Sequence, residues 1–112
     1  MLKYTYMKNK TECVSGTQLK LNINVSPLDE LHMADYEFEC NFFVFKKRSI
    51  TIKKEEMIRV DDDNYLALVD TNELGIGNLH ITFIANVPDH DFGGALRKEI
   101  VCVPTDINII NC

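Results

Sequence analysis

The chain has 112 residues and no tryptophan, and only five glycines and three prolines. With 46% apolar and 26% charged residues it is neither a disordered chain nor a collagen-like repeat. Cysteine is scarce as well. Cys13, Cys40, Cys102 and Cys112 form no CxxC pair and have no close Cys/His spacing, which argues against a zinc site and against a disulfide miniprotein. Basic residues are in deficit: 12 Lys and Arg against 17 Asp and Glu give a net charge of −5. A phosphate-binding surface needs the opposite balance, so no nucleic-acid partner is expected, and an anionic membrane should repel the chain. No apolar run approaches the roughly 20 residues of a membrane span. The start, Met1-Leu2-Lys3-Tyr4-Thr5-Tyr6-Met7-Lys8, lacks an apolar core and a small-residue cleavage site. No signal peptide is expected, and the expected compartment is the cytoplasm. Reducing conditions there disfavour disulfides, and Cys40 and Cys102 read as small buried hydrophobes, with Cys112 exposed at the last position.

What the sequence has in abundance is period-two alternation, the mark of half-buried strands. Leu19, Leu21, Ile23 and Val25 alternate with Gln18, Lys20, Asn22 and Asn24. Tyr36, Phe38, Cys40, Phe42 and Val44 form a second stripe, opposite Glu37, Glu39 and Asn41. Leu79, Ile81, Phe83, Ala85 and Val87 form a third. From Phe42 to Phe45 the run is continuously apolar, which predicts cover on both faces. Shorter strands are expected at Ser49–Lys53, Met57–Val60, Asn64–Val69, Leu96–Val103 and Ile107–Ile110, with Leu2–Met7 opening the chain. The expected fold is therefore all-β, an antiparallel immunoglobulin-like β-sandwich with one short helical turn. A partly open barrel is the alternative. The turn is placed at Asp70–Gly75, where Asp70 or Thr71 caps a single turn and Gly75 ends it. The whole chain, 1–112, reads as one domain, with residues 1–16 as an N-terminal strand or arm and 17–110 as its core. Tight polar connections are expected at Lys46-Lys47-Arg48 and at Asp61-Asp62-Asp63-Asn64, and a longer one from Val87 to Gly94.

Few constellations carry chemistry. Asp61, Asp62, Asp63, Asp70 and Glu73 offer oxygen ligands for calcium. Tyr65, however, stands where an EF-hand loop needs an oxygen, and Asp63 and Asp70 fall at opposite ends of one strand, about 23 Å apart. Asp89-His90-Asp91 sets a histidine between two carboxylates, suited to a metal or to general base work, yet no spacing brings His32 or His80 to it. There is no GxSxG elbow, and Gly75-Ile76-Gly77 lacks the third glycine and the helix of a dinucleotide site. Lys46, Lys47, Arg48, Lys53 and Lys54 form a basic end suited to an acidic partner. Tyr4, Tyr6 and Phe92 are the only aromatics expected at the surface. No catalytic residue, cofactor-binding residue or metal ligand is assigned.

One stretch carries a resemblance: Asp61-Asp62-Asp63-Asn64-Tyr65-Leu66-Ala67-Leu68-Val69-Asp70-Thr71-Asn72-Glu73-Leu74-Gly75-Ile76-Gly77, continued by Val87-Pro88-Asp89 and Leu96-Arg97-Lys98-Glu99-Ile100-Val101. With the strands before it, from Thr17 to Ile110, it resembles small prophage-encoded β-sandwich modules related to the amino-terminal domains of phage baseplate and tail-fibre attachment proteins. The resemblance implies a non-enzymatic structural or adaptor role in a phage-tail-like assembly, and so a place in a virion. Its partners would be other protein subunits or further copies of the chain. Edge strands seek partners, and Leu2–Met7 is a candidate for strand addition to a neighbour. The alternative is a small ligand- or metal-binding module using Asp61–Asp63 or Asp89–Asp91.

Overall fold

The computed structural model describes residues 11–25, 31–45 and 48–112, without the side chains of Thr11 and Pro104. The strand expected at Leu2–Met7, together with Tyr4, Tyr6, Lys46 and Lys47, lies outside the described residues. Eight strands follow in order: β1 Thr11–Val14, β2 Gln18–Ile23, β3 Glu37–Phe45, β4 Arg48–Lys53, β5 Ile58–Asp61, β6 Asn64–Asp70, β7 Gly77–Pro88 and β8 Leu96–Ile110. They form a five-stranded sheet in the order β1-β8-β7-β3-β4 and a three-stranded sheet in the order β2-β6-β5. The all-β expectation holds.

Alternation decides which side chains turn inward. Leu79, Ile81, Phe83, Ala85 and Val87 of β7 are buried, as are Phe38, Cys40 and Phe42 of β3. From the other sheet come Leu21 and Ile23 of β2, and Tyr65, Ala67 and Val69 of β6. All belong to one core cluster. Phe38 marks its centre. Its ring stacks on Phe83 at 5.3 Å and meets Tyr65 of the other sheet edge-on at 5.2 Å. Such aromatic contacts add about 0.5–1.5 kcal/mol each beyond area burial.

Between the sheets at this point lies Lys54, in a 3-10 turn Lys54–Glu56 between β4 and β5. Its ammonium donates to the carbonyls of Ala34 (3.0 Å) and Tyr36 (2.8 Å) and stands 5.7 Å from the Phe38 ring centroid and 5.9 Å from that of Tyr65. The charge is thus held by oxygen acceptors and ring faces.

The turn expected at Asp70–Gly75 is the 3-10 turn Thr71–Glu73, which carries the chain from one sheet to the other. Asp70 accepts from the Asn72 N–H at 3.0 Å, and Gly75 ends the turn at φ +91°. Thr71 is fully buried. Its hydroxyl accepts from the Gly16 N–H (3.1 Å) and donates to the Thr17 carbonyl (2.7 Å), so the crossover is tied to the β1–β2 connection. It is one of four 3-10 turns among the described residues, where one was expected.

Several other expectations need correction. The pairing is not wholly antiparallel: β1 runs parallel to β8, from Thr11↔Ile107 to Val14↔Ile110. β1 falls within residues 1–16, expected as an N-terminal strand or arm, but not at Leu2–Met7, where its strand was placed; Cys13 is buried, and Glu12 and Val14 are exposed. The two strands expected at Leu96–Val103 and Ile107–Ile110 are one, β8, with an irregularity. The register passes from Asn78↔Asn108 to His80↔Pro104, so β8 carries extra residues there. Pro104 has no N–H for the ladder, and the Thr105 hydroxyl bridges the gap, donating to the Leu79 carbonyl (2.7 Å) and accepting from the Ile107 N–H (3.1 Å). The run Phe42–Phe45 is not covered on both faces. Phe42 is buried, Phe43 is half-buried against His80, and Phe45 is exposed beyond a register shift. At the same end Gly77 sits at φ +139°, where a Cβ would come within 2.7 Å of Val44 Cγ1; only glycine allows this approach.

Candidate functional site

The acidic turn Asp61–Asn64 joins β5 to β6, and its carboxylates are occupied by the protein itself. Asp61 accepts from the Asp63 N–H (2.9 Å) and from the Asn64 amide (2.8 and 3.0 Å). These bonds, the Asn64 side chain first, hold the Asp61 carboxyl below the ordinary carboxylate range. The Asn64 carbonyl oxygen accepts in turn from Asn22 (3.1 Å) and Asn24 (3.0 Å) on the β2 side. Asp62 pairs with Arg59. Asp63 holds the segment before β3: one oxygen accepts from the Met33 N–H (3.1 Å) and the other meets His32 Nδ1 at 2.8 Å. That hydrogen bond, reinforced by the charge of Asp63, raises the His32 pKa above its ordinary value. Nothing in the spacing of residues 32 and 63 announces this pair. Among the described residues no group of three His, Cys, Asp or Glu side chains is arranged to hold a metal ion.

The Asp89-His90-Asp91 segment begins the β7–β8 connection. Asp89 accepts from the Asp91 N–H (3.0 Å), a local turn, and pairs with Arg97 at 3.4 Å. Arg97 also meets Glu99 at 3.4 Å. His90 and Asp91 are exposed, and neither His32 nor His80 joins them in a described contact. The Tyr36 hydroxyl and Glu99 Oε2 are buried with no hydrogen-bond partner among the described residues. Burial, aided by the charges of Asp63 and Glu99, raises the Tyr36 phenol above its ordinary value, so it stays protonated and is no base.

The basic end is smaller than the sequence suggests, since Lys54 is spent inside the fold and only Arg48 and Lys53 are exposed among its described members. The cysteines also differ from expectation. Cys40 is buried as expected, which pushes its thiol up to about 12. Cys102, however, is exposed, and Cys13 is buried instead. Ile100-Val101-Cys102-Val103 is continuously apolar, so alternation within it could not say which side faces out.

Exposed large apolar side chains occur at Phe45, at Ile58, Val60 and Leu68 of the smaller sheet, and on the outward side of β8. Leu96 and Ile100 are 51% and 58% exposed, and Cys102 lies beyond them on the same face of β8. In register beside them on β7 stand Pro88, next to Leu96, and half-buried Ile84, next to Ile100. Phe92, in the connection, is 50% exposed. The result is an apolar strip along the β7–β8 hairpin, interrupted by Lys98 and Asn86. β1 covers β8 only at Ile107–Ile110, and from Leu96 to Val103 β8 pairs with β7 alone among the described residues. Two shallow depressions, of about 350 Å³ against Leu19 and Leu68 and about 270 Å³ against Tyr36 and Leu96, gather no convergent set of polar groups.

Comparison with protein-family models, with curated proteins and with solved structures gives no match for the chain.

Proposed function

We propose that the chain is a non-enzymatic interaction module with an immunoglobulin-like sandwich fold, which docks to other protein subunits through its β7–β8 hairpin. The strand order supports the fold: read with β2 as strand B, the sheets follow B–E–D and G–F–C–C′, with β1 beside strand G. The inter-sheet disulfide and the tryptophan of antibody domains have no counterpart here, since β2 and β7 carry no cysteine and the chain has no tryptophan.

The single observation that carries the docking role is the set of exposed apolar side chains Leu96, Ile100 and Cys102 beside Pro88 and Ile84, on a stretch of β8 that pairs with β7 alone among the described residues. Single exposed apolar side chains are ordinary, but several gathered on one face of one hairpin favour a contact surface. A phage-tail-like assembly as the setting rests on the sequence resemblance of residues 17–110 alone. The metal-binding alternative is less well supported, because Asp61 and Asp63 already take their bonds from the protein and Asp89 pairs with Arg97.

The test is co-expression with the proteins encoded beside this one. A complex with one of them is expected, lost in Ile100→Asp and Leu96→Asp while the melting temperature stays within about 2 °C. Turnover of a substrate, or a thermal shift with calcium or zinc removed by Asp63→Ala, would contradict the reading.

A further inference from the structure

β1 enters the larger sheet beside β8 and parallel to it, from Thr11↔Ile107 to Val14↔Ile110. Traced backward from Thr11, this pairing leads along β8 toward Val103 and then Leu96, the stretch that has β7 alone as its neighbour among the described residues. Ten residues, Met1 to Lys10, precede β1. In the register of β1 they pass from Asp106 to Arg97, nearly the whole of that stretch. The other segments outside the described residues do not compete for the place. Residues 46–47 close the β3–β4 hairpin, at the opposite side of the sheet, and residues 26–30 are too few to lie along it. β5 is short and irregularly paired, and β4 begins and ends in exposed charge, which is how an edge stays unpaired. β8 from Leu96 to Val103 is long and regular, an edge that calls for cover.

We propose that residues 1–10 continue β1 as a parallel strand along this edge, so that the chain completes its own larger sheet. The sequence fits both faces of such a strand. Cys13 of β1 is buried beside buried Ile109, and exposed Val14 stands beside half-buried Ile110, so odd-numbered positions face the core on both strands. β8 keeps this order: Arg97, Glu99, Val101 and Val103 are half-buried, while Leu96, Lys98, Ile100 and Cys102 are exposed. Between Pro104 and Asn108 β8 has two residues more than β7, an even number, so a shift at the bulge leaves the faces unchanged. In register, Met7 falls beside Val103 and Thr5 beside Val101, two valines that pack on the core yet are only half-buried. Lys3 falls beside Glu99, an opposite charge directly across the pair. On the outward face Tyr6 falls beside Cys102 and Tyr4 beside Ile100. A slip of one residue would instead turn Lys8 and Lys10 toward the core. The proposal goes beyond the docking role: a partner then meets a face widened by Tyr4 and Tyr6, not a bare strand edge.

Disulfide trapping in the full chain tests this. In a Cys102→Ser, Cys112→Ser background only the buried thiols Cys13 and Cys40 remain. There, Tyr4→Cys with Ile100→Cys should close a disulfide within one chain on mild oxidation. Adjacent strands lie about 4.8 Å apart, inside the range of about 4.4–6.8 Å that a disulfide spans between Cα atoms. Tyr6→Cys with Ile100→Cys traps the same strand if its register shifts by two at the bulge. The faster of these pairs should close at least tenfold faster than Thr5→Cys with Ile100→Cys, whose side chains would point to opposite faces, and than Tyr4→Cys with Thr51→Cys on the β4 edge. Amide exchange of the unmodified chain is the second readout. Every second amide between Lys3 and Lys8 should exchange at least tenfold more slowly than in a free peptide of residues 1–10, at a rate independent of protein concentration. Equal trapping in all four pairs, a disulfide that joins two chains, or amides that exchange as in the peptide overturns the proposal. The interaction role is tested by complex formation with a neighbouring protein, so the two readings fail separately.

Discussion

Replacing Lys54 with methionine removes one charge and keeps most of the stem that packs on Phe38 and Tyr65. The ammonium is largely buried, its side chain 16% exposed, and it donates to two main-chain carbonyls, those of Ala34 and Tyr36. Hydrogen bonds from charged groups contribute about 1.5–3 kcal/mol each, and two ring faces add about 0.5–1 kcal/mol apiece. Against this stands the desolvation that methionine avoids, which can offset a large part of the gain. A net loss of about 2–4 kcal/mol is expected, because two carbonyls are left without their donor. For a domain of this size that lowers the melting temperature by roughly 8–24 °C. Thermal unfolding followed by circular dichroism, with urea titration at 25 °C, measures both. Glu37→Gln is the control. Glu37 is 74% exposed and meets Lys54 only at 3.8 Å, so its loss should cost less than about 0.5 kcal/mol. If Lys54→Met unfolds within about 0.5 kcal/mol of the parent, or if Glu37→Gln costs as much, the role given to Lys54 in joining the sheets is wrong.

Further outcomes follow from the same structure. Two thiols, Cys102 and Cys112, should react quickly with a thiol reagent at pH 8, and Cys13 and Cys40 only on unfolding; four fast thiols would refute the burial described. Thr71→Val should lose about 1–3 kcal/mol, because the Gly16 N–H loses its acceptor and the Thr17 carbonyl one of its two donors, while Thr71→Ser keeps most of it; equal losses would contradict the hydroxyl's role. Imidazole NMR should place the His32 pKa above its ordinary value and show it falling in Asp63→Asn. Since folding raises this pKa, the pair stabilises the fold fully below about pH 6.5 and loses its effect as pH rises through the folded value. Asp63→Asn should therefore be more destabilising at pH 5.5 than at pH 8.5, and the reverse order would refute the pair.

Much of this fold is legible in the residues, and the gaps have physical causes. β7 can be read directly, since Leu79 to Val87 alternate without fault and every second side chain is buried. The crossover at Thr71–Glu73 is legible because Asp70 is a capping residue and Gly75 a terminator. β1 is not, because Cys13 alone among its described side chains is buried and the strand owes its existence to a parallel partner at the far end of the chain. Pro104 reads as a break, yet a bulge sealed by Thr105 lets β8 continue through it. The run Lys53-Lys54-Glu55-Glu56 reads as solvated charge; only the tertiary fold shows that Lys54 turns inward to carbonyl oxygens. Likewise the His32–Asp63 pair is made by the approach of two distant segments. The exposure of Ile100 and Cys102 was hidden for another reason, since an unbroken apolar stretch such as 100–103 does not reveal by itself which side chains meet solvent.

The most direct measurement is amide hydrogen exchange, residue by residue, of the chain alone and in complex with a co-expressed neighbour. Amides of β8 between Leu96 and Val103 should slow at least tenfold in the complex, while those of the β2–β6 ladder keep a constant rate. Unchanged rates along β8 in the complex, or protection gained equally by β2, β4 and β8, would contradict the assignment of the β7–β8 hairpin as the binding surface.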